Sequence, residues 1–437
     1  MINLTKRIKN FNLIYNMLSE TFYGKCELKF EMSKVYEKYL KKIINSKSEK
    51  EYYLLLAEFL RLFDDGHTDI NFSKKILNKI GYLPFSLYNV KGSYYIGDTI
   101  EELKHLKFEK IKSINGISFT KLKKICSRYI HSVEGFLYRG KFEKFLPFFL
   151  KKRNNVMIIN DNKFKFDLLK EKQNFNNIYI KPKDGFVKIS SNFNEIYITN
   201  DNILYVYIDT FNNVDKTNEL VDILKKQEKL KAVILDVRNN EGGMTLNAEK
   251  IASFFIKGKF KALNKKTRIS NALDLASARL YNLTPQKAAE YISKGITTKE
   301  KINKSIKILN GDNFECYSNE FGGNNKFYFD CDCYILTSRY TVSAGDDFVA
   351  MFKANNVGLI VGDITYGSTG TPYTLKLDDG SIARSCTVKC SLIDDTEFIN
   401  IGIKPHVCIS NSIKDYRKNN DKVLNYVLNK IKEKYGK

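Results

Sequence analysis

The chain has 437 residues, of which 43% are hydrophobic and 13% aromatic, and its formal net charge is +23 at pH 7. This length accommodates two or three domains with real cores, and the aromatic content argues against wholesale disorder. Lysine is spread along the chain and no nucleic-acid recognition motif accompanies it, so no specific nucleic-acid partner is predicted.

The first part of the chain has apolar residues at helical spacing. Three such runs lie within residues 8–63, and one of them contains Tyr53, Leu56 and Leu60. We therefore expect a small N-terminal helical domain over residues 1–75.

Residues 76–180 have a mixed pattern. Short β-like pieces lie at 93–96 and 156–159, and 113–116 predicts a strand followed by an Asn-Gly turn. A helix is expected over 119–129. We treat this region as a second, β-rich domain.

Residues 181–410 alternate between strand and helix patterns, which favours a mostly parallel sheet covered by helices. A hairpin is expected over 186–198, a helical insertion over 270–308 with its start at Thr284, and antiparallel strands over 372–408. The other predicted strands lie at 203–208, 231–237, 334–337 and 357–361, and the predicted helices at 218–229, 248–255 and 344–354. A charged helix over 413–435 accounts for the last segment, 411–437.

No secretion signal follows Met1, and no stretch of about 18 apolar residues predicts a membrane span. The eight cysteines lack paired C-x-x-C spacing, so they are interpreted as reduced thiols rather than a zinc site. These features favour a cytoplasmic protein without a metal or other cofactor.

Two segments place polar residues beside glycines. Asp65-Gly66-His67-Thr68 follows the third helix, and its setting is compatible with a presented histidine or with a structural one. In the second segment, 235–243, a hydrophobic strand ends in polar residues and then in Gly242-Gly243. Glycines there permit either an anion hole of backbone N–H groups or a plain tight turn.

The third segment, 334–346, delivers Ser343 from a strand to the start of a helix. A serine at such a position is usually an N-cap. The functional alternative is a nucleophile at a strand-to-helix turn, where the next N–H helps to hold an oxyanion.

Taken in order, these segments resemble the C-terminal processing (tail-specific) serine peptidase family, which includes tricorn-type proteases and retinoid-binding relatives. The resemblance covers roughly residues 50–408, and residues 111–116 also resemble part of a PDZ-like domain. The matching segments are Asp65-Gly66-His67-Thr68, Asp236 to Gly243, Thr341-Val342-Ser343-Ala344, Gly362 to Gly367, and Gly402-Ile403-Lys404-Pro405-His406. The last one departs from the family's Pro-Asp ending.

The resemblance implies a catalytic assignment. In the bacterial branch a lysine follows Thr-x-Gly, whereas this chain has Ser368 there. The tricorn-like branch, with a histidine base, fits better and makes His67 the base for Ser343. The oxyanion hole would combine the Ala344 N–H with that of Gly242 or Gly243, while Arg238 would order the loop.

The resemblance also implies a third residue that orients the histidine, in a stretch where the family places an acidic residue. Glu397 is the predicted residue, and its register leaves Asp395 and Asn400 as alternatives.

The implied fold is multidomain α/β, with an N-terminal helical domain, a PDZ-like domain and a catalytic core of the crotonase/ClpP-like type. The implied function is a serine endopeptidase acting on peptide or unfolded protein substrates, held partly by strand addition. A catalytically silent peptide- or ligand-binding relative is the alternative. Whether the chain forms a homo-oligomer is left open.

Overall fold

The computed structural model describes residues 2–183, 185–190, 195–267, 276, 287, 290, 292–295, 321–322 and 325–436. The helical insertion predicted over 270–308 lies almost entirely outside the described residues. Among the described residues, no helix is both long enough and apolar enough to cross a membrane.

The chain forms two compact units, which we name after the two candidate catalytic residues they carry. The histidine unit, with His67, consists of Met1–Ile178, Thr267–Tyr281 and Gly370–Lys389. The serine unit, with Ser343, consists of Tyr179–Lys266, Asn282–Thr369 and Cys390–Lys437.

The helices are numbered in chain order. They are α1 Leu4–Thr21, α2 Met32–Ile44, α3 Glu49–Arg61, α4 Lys74–Ile80, α5 Phe119–Cys126, α6 Arg139–Phe145, α7 Val214–Lys225, α8 Thr245–Ala252, α9 Ala344–Ala354, α10 Ile413–Arg417 and α11 Lys422–Tyr435.

The strands are also numbered in chain order. They are β1 Ile70–Asn71, β2 Phe85–Val90, β3 Ser93–Thr99, β4 Ser113–Ile114, β5 Ile117–Ser118, β6 Ser132–Val133, β7 Phe136–Leu137, β8 Asn155–Ile159, β9 Asn162–Phe166, β10 Val187–Lys188, β11 Glu195–Ile198, β12 Ile203–Tyr207, β13 Ala232–Asp236, β14 Lys259–Phe260, β15 Leu263–Thr267, β16 Phe321–Gly322, β17 Asp332–Thr337, β18 Leu359–Gly362, β19 Pro372–Lys376, β20 Ile382–Cys386, β21 Val388–Leu392 and β22 Val407–Cys408.

The histidine unit begins with the three predicted helices, α1 to α3, which the structure confirms. The predicted Asn-Gly turn is also confirmed: Asn115 and Gly116 have φ of 51° and 77° and join the antiparallel pair β4–β5. Positive φ at both central residues is what a tight two-residue hairpin requires.

The predicted division between 1–75 and 76–180 differs from the structure, in which both segments share one core. Phe72 explains why, because its ring lies 5.3 Å from that of Tyr53 on α3 and 5.4 Å from that of Phe148. Aromatic contacts of this kind stabilise the two segments as one packed body.

Residues 370–389 also differ from the prediction, which placed them in the catalytic domain 181–410. In the structure they belong to the histidine unit, where β20 pairs antiparallel with β1 on one side and β19 on the other. Leu377 and Ala383 are buried in the core of that unit.

The serine unit is built on a seven-stranded sheet of order β10-β11-β12-β13-β17-β18-β22. Strands β12, β13, β17, β18 and β22 are parallel to one another, as the alternation of strands and helices predicted. Every residue of β13 is buried, which is typical of a parallel strand covered on both faces. The predicted hairpin over 186–198 is the antiparallel pair β10–β11.

Two details of the C-terminal part correct the sequence-based prediction. β22 pairs parallel with β18, although antiparallel strands were predicted up to residue 408. The predicted helix over 413–435 is divided into α10 and α11. Asn419 has φ of 51°, and the Asp421 side chain caps the second helix by accepting from the Leu424 N–H.

Candidate active site

Two neighbouring parallel strands of the serine unit, β13 and β17, end side by side. Ligand sites of open α/β sheets lie beyond the carboxyl ends of the strands. The loops that follow are tied together: the Val342 N–H donates to the Asn240 carbonyl at 3.0 Å, and the Thr341 hydroxyl donates to the Val237 carbonyl at 2.8 Å. The loop after β13, which contains the two glycines, and the loop after β17, which contains Ser343, are therefore joined in one corner of the unit.

Ser343 is the N-cap residue of α9 and has φ of 61° and ψ of −123°. Other serine N-caps of this chain, such as Ser48 with φ of −143°, have the usual extended backbone. A non-glycine residue in the sparsely populated conformation of Ser343 costs about 1–3 kcal/mol and persists only where the surroundings fix it. The backbone of Ser343 is therefore not that of an ordinary N-cap.

The turn at Gly242 lies directly against Ser343. A Cβ atom at Gly242, whose φ is 84°, would lie 2.6 Å from the Ser343 Cβ and 2.9 Å from the Val342 carbonyl oxygen. Only glycine allows this close approach. The Gly242 N–H donates to the Asn240 side-chain oxygen at 2.9 Å.

Two backbone N–H groups at this corner are left available. In the part of the chain that the structure describes, neither the Gly243 N–H nor the Ala344 N–H has a hydrogen-bond acceptor. For Ala344 this follows from its place in the first turn of α9, where N–H groups lack intrahelical acceptors.

The carboxylate of Asp346 is fully buried beneath Ser343. It accepts hydrogen bonds from the backbone N–H groups of Ser343 at 3.0 Å and of Gly367 and Ser368 at 3.1 Å. Burial raises the pKa of Asp346 to about 7, although hydrogen bonds from the Thr365 side chain and from the Ser368 and Gly367 N–H groups favour its anion.

Arg238 lies in a buried ionic network of the serine unit. Its guanidinium donates to Asp236 at 2.6 Å and to Asp421 at 2.7 Å, and the Tyr205 hydroxyl donates to Asp236 at 2.5 Å. The network joins the end of β13 to the start of α11, so the guanidinium is held by two carboxylates.

His67 lies in the histidine unit, in the loop after α3, and is buried. Its backbone N–H donates to the Asp65 carboxylate at 2.8 Å, which also accepts from the Thr68 hydroxyl at 3.1 Å. Burial, followed by the positive charge of Arg384, lowers the pKa of His67 to about 3. The imidazole is therefore neutral at pH 7.

A second ionic cluster of the histidine unit surrounds Asp69. This carboxylate accepts two hydrogen bonds from Arg384, at 2.6 and 2.7 Å. It also forms an ion pair with Lys141 at 2.6 Å. Burial opposes its charge, but the two cations hold the pKa of Asp69 well below its usual range. The cluster fixes β20 beside the histidine loop.

The three candidates for the residue that orients the histidine lie in the serine unit between β21 and β22. Glu397 is exposed, and Asp395, also exposed, accepts a hydrogen bond from the Asn264 side chain at 2.9 Å. The Asn400 N–H donates to the Gly367 carbonyl at 2.8 Å.

The structure thus brings Ser343, Ala344, Gly242 and Gly243 to one corner of the serine unit, and it places His67 in the histidine unit. Sequence reasoning missed Asp346, although an acidic residue three positions after an N-cap serine is a capping-box signal. It also missed Arg384, which lies in an ordinary strand pattern far along the chain and carries no local signal.

Comparison with known proteins gives a match to peptidase family S41 over residues 202–409. CtpA-like serine proteases of Staphylococcus aureus strains N315 and COL are 27% identical over 207 residues. That match covers 47% of this chain and 32% of each relative, so the chain spans about a third of the relatives' length. These matches support the assignment of this chain to peptidase family S41.

Solved structures share the fold. Mature CPAF superposes with a TM-score of 0.72 at 13% identity, covering 99% of each chain. The photosystem II D1 C-terminal processing protease has a TM-score of 0.50 at 14% identity, covering 92% of this chain and 93% of that one. The multidomain α/β fold is therefore that of S41 proteases, whereas the PDZ-like and crotonase-like assignments stay predictions.

Proposed function

We propose that this chain is a serine endopeptidase in which Ser343 is the nucleophile. The observation that carries the proposal is the conformation of Ser343, with φ of 61° at a strand-to-helix turn against Gly242. The S41 match over 202–409 includes this corner and supports a serine peptidase.

In the proposed reaction, the Ser343 Oγ attacks the carbonyl carbon of the scissile peptide bond while His67 takes its proton. His67 then gives that proton to the leaving amine, and an acyl-enzyme ester on Ser343 results. A water molecule then attacks this ester while His67 takes its proton, and His67 returns the proton to the Ser343 oxygen. This step releases the acid product and restores the hydroxyl.

The negative oxygen of the tetrahedral intermediate needs donors that are not already in use. The availability of the Gly243 and Ala344 N–H groups supports this pair as the oxyanion hole. The Gly242 N–H is bonded to Asn240, so we assign Gly242 a different role. Its missing side chain leaves room for the nucleophile.

The histidine-dependent branch is proposed because Ser368 stands where relatives of the lysine branch carry the base. Ser368 is buried, and its backbone, through the bonds to Ser343 and Asp346, is part of the nucleophile's support. His67 is neutral at pH 7, which is the form that accepts a proton.

A pKa of about 3 nevertheless makes His67 a weak base, since general bases work best with a pKa near the working pH. The proposal therefore requires a carboxylate that raises the basicity of His67 during the reaction. We assign this role to Glu397, with Asp395 as the alternative carboxylate. Asn400 remains an alternative only for orienting the imidazole, because its amide carries no charge.

We propose peptides and unfolded proteins as substrates, bound partly by strand addition. The sheet β5-β4-β8-β9, with α5 following β5, supports a PDZ-like element in the histidine unit.

The test is hydrolysis of an unfolded protein, such as reduced casein, by the wild type and by Ser343→Ala. The expected result is cleavage by the wild type and a loss of about 1,000-fold or more in the variant. Ser412→Ala is the matched control, because Ser412 is also an N-cap serine with a capping box in the serine unit, and it should retain activity. A wild type that binds the substrate without cleaving it would instead identify a silent relative.

A further inference from the structure

The residue three positions after the proposed nucleophile has more contacts than a helix cap needs. An ordinary capping box pairs an N-cap residue with the third helical residue, and Ser343 and Asp346 occupy those two positions. The Asp346 carboxylate goes further, because it also accepts the N–H groups of Gly367 and Ser368 from a separate loop. It therefore joins two segments, not one.

A second capping box of the same chain, formed by Ser412 and Asp415, shows what is unusual at Ser343. Asp415 accepts from the N–H and hydroxyl of Ser412, at 2.7 and 2.6 Å, and Ser412 has an ordinary extended backbone with φ of −84°. At Ser343 the same arrangement coexists with φ of 61°. The added bonds to the 367–368 loop are what distinguish the two sites.

The bonds around Asp346 close a ring. The Ser343 N–H donates both to Asp346 and to the Ser368 carbonyl, at 3.0 and 2.8 Å, while the Ser368 N–H donates back to Asp346 at 3.1 Å. Asp346 is fully buried, where hydrogen bonds are stronger than in water. A single carboxyl group thus holds the backbone of the proposed nucleophile and the neighbouring loop in one geometry.

We propose that Asp346 is a positioning residue of the active site, whose buried carboxylate holds Ser343 in its reactive conformation by tying it to the 367–368 loop. This inference rests on the proposed function, since it assumes that Ser343 is the nucleophile. Asp346 acts through Ser343 and does not itself touch substrate.

The carboxyl group of Asp347 influences the pKa of Asp346. Burial raises its pKa, and the carboxyl of Asp347 on the same helix adds to that rise. Asp347 bonds to the hydroxyls of Thr245 and Thr369, both at 2.7 Å, so it does not share the N–H donors of Asp346.

The test measures the reaction of Ser343 with a fluorophosphonate probe, which needs no knowledge of the natural substrate. Asp346→Asn places an amide where three N–H groups require an acceptor. We expect the maximal labelling rate to fall about 100-fold, the effect of misplacing a reacting atom by about 1 Å. The probe concentration for half-maximal rate should change by less than about threefold, because the binding surface is retained.

Asp415→Asn is the matched control, since it weakens a capping box away from Ser343. It should leave labelling within about twofold of the wild type even if the melting temperature falls. A folded Asp346→Asn variant that labels at the wild-type rate would overturn the positioning role while leaving Ser343 as the nucleophile. Wild-type protein that does not label at all would instead refute the proposed function.

Should Asp346→Asn fail to fold, hydrogen exchange of the wild type gives an independent answer. The Gly367 and Ser368 amides should exchange slowly and together with the Ser343 amide. Rapid exchange of the two loop amides beside a protected Ser343 would refute the inference.

Discussion

The serine unit and the histidine unit use different means to fix a candidate catalytic side chain. Around Ser343 the supporting groups are mainly backbone N–H and carbonyl groups at the ends of adjacent parallel strands, with one buried carboxylate beneath. Around His67 the support is ionic: Asp65 holds the loop, and Asp69 with Arg384 and Lys141 sets the local charge. The proposed nucleophile depends on backbone geometry, whereas the proposed base depends on the balance of buried charges.

Replacing the base should have the largest effect on the chemistry. His67→Gln is expected to lower the fluorophosphonate labelling rate by about 10,000-fold or more, because no other group would accept the serine proton. His105→Gln is the control, since His105 is an exposed histidine of the same unit, and it should stay within about twofold. Equal labelling rates of the two variants would remove His67 from the mechanism.

Breaking the buried ionic network of the serine unit should have the next largest effect, on stability. Arg238→Met leaves Asp236 and Asp421 buried without their cation, which should lower the free energy of unfolding by about 3–5 kcal/mol. Denaturant titration measures this loss. Lys188→Met removes a partly exposed pair with Glu195 and should cost about 1 kcal/mol or less. An Arg238→Met variant with an unchanged free energy of unfolding would mean that the network does not stabilise the fold.

Adding one methyl group beside the nucleophile tests the backbone geometry. Gly242→Ala introduces a Cβ that would lie 2.6 Å from the Ser343 Cβ, so the labelling rate should fall about 100-fold. Gly258→Ala is matched, because it also has positive φ, 69°, but meets nothing within 4 Å. If both variants lose the same activity, backbone strain rather than the contact with Ser343 is the cause.

The buried histidine should make stability depend on pH. The folded-state pKa of about 3 lies below the unfolded value of about 6.5, so the unfolded chain binds the proton first and stability is lost as pH falls from 6.5 towards 3. We compare the free energies of unfolding of the wild type and His67→Gln at pH 7.5 and at pH 5. Between these two pH values the wild type should lose about 2 kcal/mol more than the variant. Asp65, whose pKa is raised to about 6, has the opposite sign but is present in both proteins. An unchanged difference would mean that His67 is not buried in solution.

The acidic residue should have the smallest effect. Glu397→Gln is expected to lower the labelling rate about tenfold, because it would remove the charge that raises the basicity of His67. Asp395→Asn is the matched change, and its partner Asn264 can also bond to an amide. A larger loss with Asp395→Asn would transfer the role to Asp395.

The same contrast explains what could be predicted from the sequence. The parallel strands, the glycine turn and the serine at a helix start follow from local patterns, and the structure contains them near the predicted bounds. The division into units could not be predicted, because it depends on Phe72 joining two segments and on β20 pairing with the distant β1. For the same reason, the contribution of Arg384 to the charge around His67 has no local signal.

Whether Ser343 is the nucleophile is decided by mass spectrometry of the fluorophosphonate-treated protein. We expect a single stoichiometric adduct on the peptide that contains Ser343, and no adduct in Ser343→Ala. Labelling that survives in Ser343→Ala, or an adduct on another residue of the wild type, would contradict this role of Ser343.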